Sequence, residues 1–388
     1  MLISADSHVV EPPGLWLENL PVSMRERAPR AKKDPDNHHW YFVDPDGLRG
    51  VDLTASATAG TPRAELKRLL ESDPDAVVAL AGGHNPVARL ADLWRDGTAA
   101  DVIYPTATLS LMGLRDVKLQ EACFRVYNDW IADYCAVDPV RLAGLGVLPC
   151  WDIEAAVTEL SRCIDLGLRG AAIWTSPPQQ ESFFERRYEP LWAAAAEAGI
   201  PISLHTLAGN RASREIAGYG QSLESTFFFG FNTRLELQRS LCELIVSGVF
   251  ERHPTLRIVA AEGGIEYSAI LERRLDGGYR GGWGGLDHEL RCPPSEYFRR
   301  NVFLTYISDP IGLNNIRLTG ADHFLWSGDY PHDASTWPNS EARLLSECAE
   351  AGVEEADIQK LTCTNVATLY DFDLKEIAKP SARIEESA

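Results

Sequence analysis

Eight short, uninterrupted apolar runs punctuate the chain, and most of the stretches between them repeat with helical period. The runs are Leu2–Ser4, Val102–Pro105, Leu142–Leu148, Gly170–Trp174, Ile202–His205, Ile258–Ala261, Val302–Tyr306 and Phe324–Ser327. A strand apolar on both sides needs cover on both faces, as in a parallel sheet wrapped by helices. The helical segments that supply this cover are Asp116–Ala136, Asp152–Leu166, Glu185–Ala198, Leu235–Val249, Ile265–Leu275, Pro310–Leu318 and Ser340–Ala351. Asp152 can cap its helix, Gly167 closes it, and Gly199-Ile200-Pro201 stops the next one.

Eight strands alternating with helices predict an α/β fold, a (β/α)8 TIM barrel. An open doubly wound sheet would need a glycine-rich turn after its first strand, and the turn here reads ADSHVVEPP. Two connections exceed a simple crossover. The insertion after strand one, about residues 9–100, contains HHWYFVDPDGLRG (His38–Gly50), patterned as a hairpin turning at Asp46-Gly47. The loop after strand five, Thr206–Thr233, carries Phe227-Phe228-Phe229-Gly230-Phe231. Both follow strands, so both overhang the C-terminal mouth where barrel active sites lie; they read as pocket walls or, alternatively, as subunit contacts. Residues 1–375 are expected to form one barrel, with 376–388 a flexible tail and the glycine-rich Gly277–Gly285 a flexible connection.

Acidic residues outnumber basic ones 56 to 37, for a formal charge of −19. Such a surface repels phosphate backbones and anionic lipid, which argues against nucleic-acid and membrane partners and for a small-molecule substrate. No run approaches the roughly 18–20 apolar residues of a membrane helix, and MLISADSHVV lacks the marks of a secretory signal. The eight cysteines are never closer than twelve positions and form no CxxC pair; buried thiols in a reducing cytoplasm are expected. Between Lys118 and Lys360 there is no lysine, which excludes a Schiff-base or carbamylated lysine from the middle of the chain.

The metal-capable side chains gather at strand ends. Asp6 and His8 alternate by two at the end of strand one and so point the same way. His205 ends strand five, Glu262 ends strand six, and Asp329 and His332 follow strand eight. A barrel brings these ends to one mouth. Two imidazoles with two carboxylates make a site of borderline hardness, suited to one divalent ion, Zn²⁺ first and Mn²⁺ or Fe²⁺ next. Arg211 and Arg214, in the loop after His205, are candidate clamps for a substrate carboxylate, and Trp16 and Phe229 are candidate pocket walls.

DxH on strand one, SLH on strand five, a GG turn after strand six and SGDYPH on strand eight together resemble the amidohydrolase superfamily. More narrowly, the pattern is similar to the branch containing aminocarboxymuconate-semialdehyde decarboxylase, aromatic-acid decarboxylases and C–C hydrolases. The resemblance runs from Leu2 to about Phe372 and includes ARLADLWRDGTAADVIYPT before and through strand two. It implies that His8 and His205 are metal ligands, that Asp6 replaces the first residue of the family's HxH or ExH, and that Asp329 is a ligand that also exchanges a proton. It also implies a homodimer or homotetramer. Strand four, RGAAIWTSP, lacks the bridging lysine of binuclear members, so one metal is expected. Glu262 stands where many members have a histidine that polarises the substrate, and as an anion it can act only as a base or orienter.

Three functions follow from this pattern. The leading expectation is a mononuclear hydrolase, with Asp329 exchanging the water proton, Glu262 assisting and His332 hydrogen-bonded to a carboxylate. The alternative is non-oxidative decarboxylation of an aromatic acid on the same site. The third is a non-catalytic ligand-binding barrel.

Overall fold

A computed structural model describes residues 1–47, 49–73, 79–209, 222–285 and 290–379. Eight parallel strands stand in sequence order: Leu2–His8, Thr98–Tyr104, Leu142–Val147, Gly170–Ile173, Ile202–His205, Ile258–Ala261, Val302–Tyr306 and Phe324–Trp326. They are strands one to eight below. The seam between strands eight and one is drawn together just beyond strand eight. There the Asp329 amide donates to the Asp6 carbonyl at 3.0 Å and the His8 amide to the Tyr330 carbonyl at 2.7 Å. The result is a nearly closed (β/α)8 barrel.

The apolar runs are explained by burial on both sides. Alternate residues enter two separate clusters: Ile258 and Ala260 pack with the surrounding helices, while Val259 and Ala261 pack inside the barrel. Strand eight divides in the same way, with Phe324 and Trp326 outward and Leu325 inward. Helices Val117–Cys135 and Ile153–Asp165 begin at Asp116 and Asp152, whose carboxylates accept first-turn amides. Gly199 closes the helix Glu189–Ala198 in the left-handed conformation, which costs a glycine little.

Three local expectations are corrected. The phenylalanine cluster belongs to a helix, Leu223–Val246, opened by a reciprocal Ser222/Ser225 cap, rather than to a loop. Four aromatics in five residues fit no single helical face, which hid the period: Phe227, Phe228 and Phe231 are exposed while Phe229 is buried. Gly277 and Gly278 lie inside the helix Ser268–Arg280, so packing overrides their low helix propensity. The chain end is ordered further than expected. Asp373 caps a short helix, Leu374–Ile377, whose Ile377 side chain is buried and whose Ile377 carbonyl accepts from Arg141 at 3.0 Å.

His323 is buried against the rings of Phe298 and Phe324. In the insertion, the expected hairpin pairs Trp40–Val43 with Arg49–Asp52, and a third antiparallel strand, Arg30–Lys33, joins it. RAKK carries no apolar alternation, so it gave no strand signal. Helix Pro86–Asp96 follows, capped by Asn85 and closed by Gly97. No described helix is long and apolar enough to cross a membrane.

Candidate metal and catalytic site

The barrel brings Asp6, His8, His205 and Asp329 to one point. The His8 and His205 Nε2 atoms are 3.1 Å apart. Asp6 Oδ1 lies 3.6 Å from each of them, and Asp329 Oδ1 lies 3.7 Å from His8 Nε2. All four residues are buried. Asp329 and Glu262 adopt positive φ, 52° and 56°, conformations that turn the chain sharply at the mouth and are uncommon outside glycine.

Hydrogen bonding fixes the imidazoles. The Nδ1 of His8 lies 2.9 Å from the Pro105 carbonyl, and that of His205 lies 2.6 Å from the Thr206 carbonyl. A carbonyl only accepts, so each Nδ1 carries a proton, and when both rings are neutral each aims an Nε2 lone pair at the other. Two facing lone pairs require a positive species nearby. Asp6 Oδ1 and Asp329 Oδ2 are buried without a hydrogen-bond donor, whereas Asp6 Oδ2 accepts from Thr305 at 2.9 Å and Asp329 Oδ1 lies 3.0 Å from His332 Nδ1. The free acceptors thus converge where the lone pairs meet, and a divalent ion would neutralise the two carboxylates. The donor set fits such an ion.

The protonation states describe the same demand. Burial, with His332 and His205 nearby, drives His8 well below its ordinary value. Burial also opposes charge on His205, but Asp6 and Glu262 override it and hold the ring up to about 9. A proton on His205 is therefore the competitor of a metal. Burial raises Asp329 to about 6, despite the favourable charge of His332. Asp329 in turn raises His332 against the effect of burial.

His332 bridges the site and its rim. Its Nδ1 is 3.0 Å from Asp329 Oδ1, its Nε2 is 3.0 Å from the Thr106 hydroxyl, and its ring stacks on His8 with centroids 4.0 Å apart. Glu262 stands to one side, accepting from the Thr206 hydroxyl at 3.0 Å and lying 3.6 Å from His205 Nε2. Arg234 is 3.8 Å from its other oxygen.

Above the ligands lies a cavity of about 250 Å³, walled by Leu109, Leu207 and Phe229 and by Val51, Asp52, Ala55 and Ser56 from the insertion. This is below the ~300–1,000 Å³ usual for drug-sized ligands, so it suits a single substituted ring. No lysine or arginine lines it among the described residues. Trp16, expected at the mouth, is instead in the core. Its indole donates to the Cys123 carbonyl at 3.2 Å and packs on Phe42, because the short helix Leu15–Asn19 packs against the helix Val117–Cys135. Arg211 and Arg214 lie outside the described residues.

Sequence reasoning missed Thr305, whose hydroxyl orients Asp6 and accepts from the Glu262 amide at 2.7 Å. A polar residue within the apolar run VFLTY was its one signal. Thr106 and the insertion's wall residues carried none.

The amidohydrolase family profile matches residues 103–372. The chain belongs to the amidohydrolase family. This member is 30% identical over 271 residues to gamma-resorcylate decarboxylase of Rhodococcus jostii (strain RHA1), an overlap covering 63% of this chain and 75% of that relative. Its fold is similar to that of an amidohydrolase from Mycobacterium avium subsp. paratuberculosis K-10, with TM-score 0.75, 23% identity, and 95% and 98% of the two chains covered. It also resembles a dihydroxybenzoic acid decarboxylase from Polaromonas sp. JS666 solved with manganese and the inhibitor 2-nitroresorcinol. There the TM-score is 0.60 and the identity 18%, with 98% and 99% covered. The family and the barrel are as the sequence implied, and the four residues expected to hold a metal meet at one point; the relatives favour the decarboxylase alternative over hydrolysis.

Proposed function

We propose that the chain is a metal-dependent, non-oxidative decarboxylase of a single-ring aromatic acid with a hydroxyl ortho to its carboxylate. One observation carries this reading. Asp329, a buried carboxyl raised to about 6, lies with Oδ1 3.0 Å from His332 Nδ1, beside the other cation ligands. Protonating a ring carbon needs such an acid at the point where the substrate's carboxylate is anchored. The decarboxylase relative supports it.

Asp6, His8, His205 and Asp329 would hold the ion, which when bound supplies a Lewis-acid anchor for the carboxylate and the adjacent oxygen. Asp329 delivers its proton to the ring carbon bearing the carboxylate. The C–C bond then breaks, its electron pair stays with the ring, and CO₂ leaves. His332 passes a proton back to Asp329 from the rim, where it meets Thr106. Phe229, Leu109 and Leu207 hold the ring and keep water out, while Ser56 and Ser110 face its polar substituents. Glu262, unable to act as a cation, accepts from Thr206 and sets a negative charge 3.6 Å from the His205 ligand atom.

The test supplies chelator-stripped protein with Mn²⁺, Zn²⁺ or Fe²⁺ and offers it ortho-hydroxybenzoates beside esters and amides. The Polaromonas neighbour makes manganese the first ion to try. Metal-dependent CO₂ release is expected. Metal-dependent ester or amide cleavage without CO₂ release would return the hydrolase reading.

A further inference from the structure

The segment ARLADLWRD, part of the pattern behind the family resemblance, has no place in the chemistry above. It forms the helix Pro86–Asp96, and Arg89 within it is fully buried. Its guanidinium makes three different contacts. Nη1 donates to the His8 carbonyl at 2.6 Å, Nε donates to Asp101 Oδ2 on strand two at 2.7 Å, and the group lies 5.1 Å over the Tyr330 ring. Almost one turn further along the helix, Asp92 accepts the Tyr330 hydroxyl, and its carbonyl accepts the Trp337 indole at 3.0 Å.

These contacts span the barrel seam. His8 ends strand one; Tyr330 lies between Asp329 and His332 beyond strand eight. The two residues meet directly through the His8 amide, which donates to the Tyr330 carbonyl at 2.7 Å. We infer that Arg89 is a positioning residue whose planar fork ties the His8 side of the metal site to the Asp329–His332 side. A guanidinium can serve a carbonyl, a carboxylate and an aromatic face together because its donors diverge in one plane; an ammonium cannot. The inference rests on the cation-binding reading of the site and is independent of which bond the enzyme breaks.

The test measures Mn²⁺ binding to stripped, full-length protein by titration calorimetry, with the electron paramagnetic resonance spectrum of the bound ion as second readout. Arg89→Lys keeps the charge opposite Asp101 but loses the fork. It should fold with unchanged circular dichroism, bind Mn²⁺ about 10–100-fold more weakly, and give a broadened spectrum. Asp92→Leu, which releases Tyr330 from the same helix without removing a buried charge, should weaken binding in the same direction and serves if Arg89→Lys does not fold. Wild-type Kd and spectrum in a folded variant would overturn the inference while leaving the proposed function intact. A wild-type protein that binds no divalent ion would overturn both.

Discussion

Four oxygen and nitrogen acceptors that face one another without donors explain the chemistry at the scale of single residues. Asp329→Asn preserves shape but removes the ionisable proton. Decarboxylation should fall about 10²–10⁴-fold, the usual contribution of a positioned acid, in a steady-state CO₂ assay. His8→Ala removes a lone pair and should abolish stoichiometric metal by elemental analysis. His323 gives a separate test of burial. Its environment lowers it to about 3, chiefly by desolvation. Below 6.5 the unfolded chain binds a proton that the folded chain refuses, so stability present above 6.5 is lost as pH falls toward 3, by ~1.4 kcal/mol per unit. In thermal melts between pH 6.5 and 4, His323→Leu should lose less stability than the wild type. Parallel curves would contradict the buried, neutral imidazole.

At the level of elements, the long connections determine the shape of the cavity. The helix Leu223–Val246 presents Phe229 to it while Phe227 faces solvent at 80% exposure. Phe229→Ala should raise KM about tenfold, equivalent to ~1.4 kcal/mol of ring contact; Phe227→Ala should leave KM unchanged. Equal effects would place the helix in another phase. This helix also marks where the sequence stopped being informative. Strand ends were legible because double-sided burial demands continuous apolar runs, and that alone placed Asp6, His8, His205 and Asp329. The Phe cluster was not, because partial exposure on every side erases the 3.6-residue period. Trp16 misled for a related reason, since an aromatic near the mouth in sequence can turn inward once a short helix intervenes. Thr305 and Arg89 act through hydrogen bonds to residues distant in sequence, which no local pattern records.

For the molecule as a whole, the ion and the barrel are coupled. The seam between strands one and eight is held by the ligand-bearing segments themselves, so metal should stabilise the entire fold by mass action. At a free Mn²⁺ concentration near 100 times Kd the gain is about 2.7 kcal/mol, visible as a rise of several degrees in thermal midpoint that chelator reverses. An unchanged midpoint would favour a barrel that binds no ion. The most direct examination of the whole account follows the reaction itself in D₂O. Manganese-loaded protein is given 2,6-dihydroxybenzoate, and the products are followed by NMR alongside released CO₂. One CO₂ per substrate consumed, with a single deuterium at the vacated ring carbon and none elsewhere, is the expected result. Intact acid across a panel of ortho-hydroxybenzoates, from protein shown to carry one ion per chain, would contradict it.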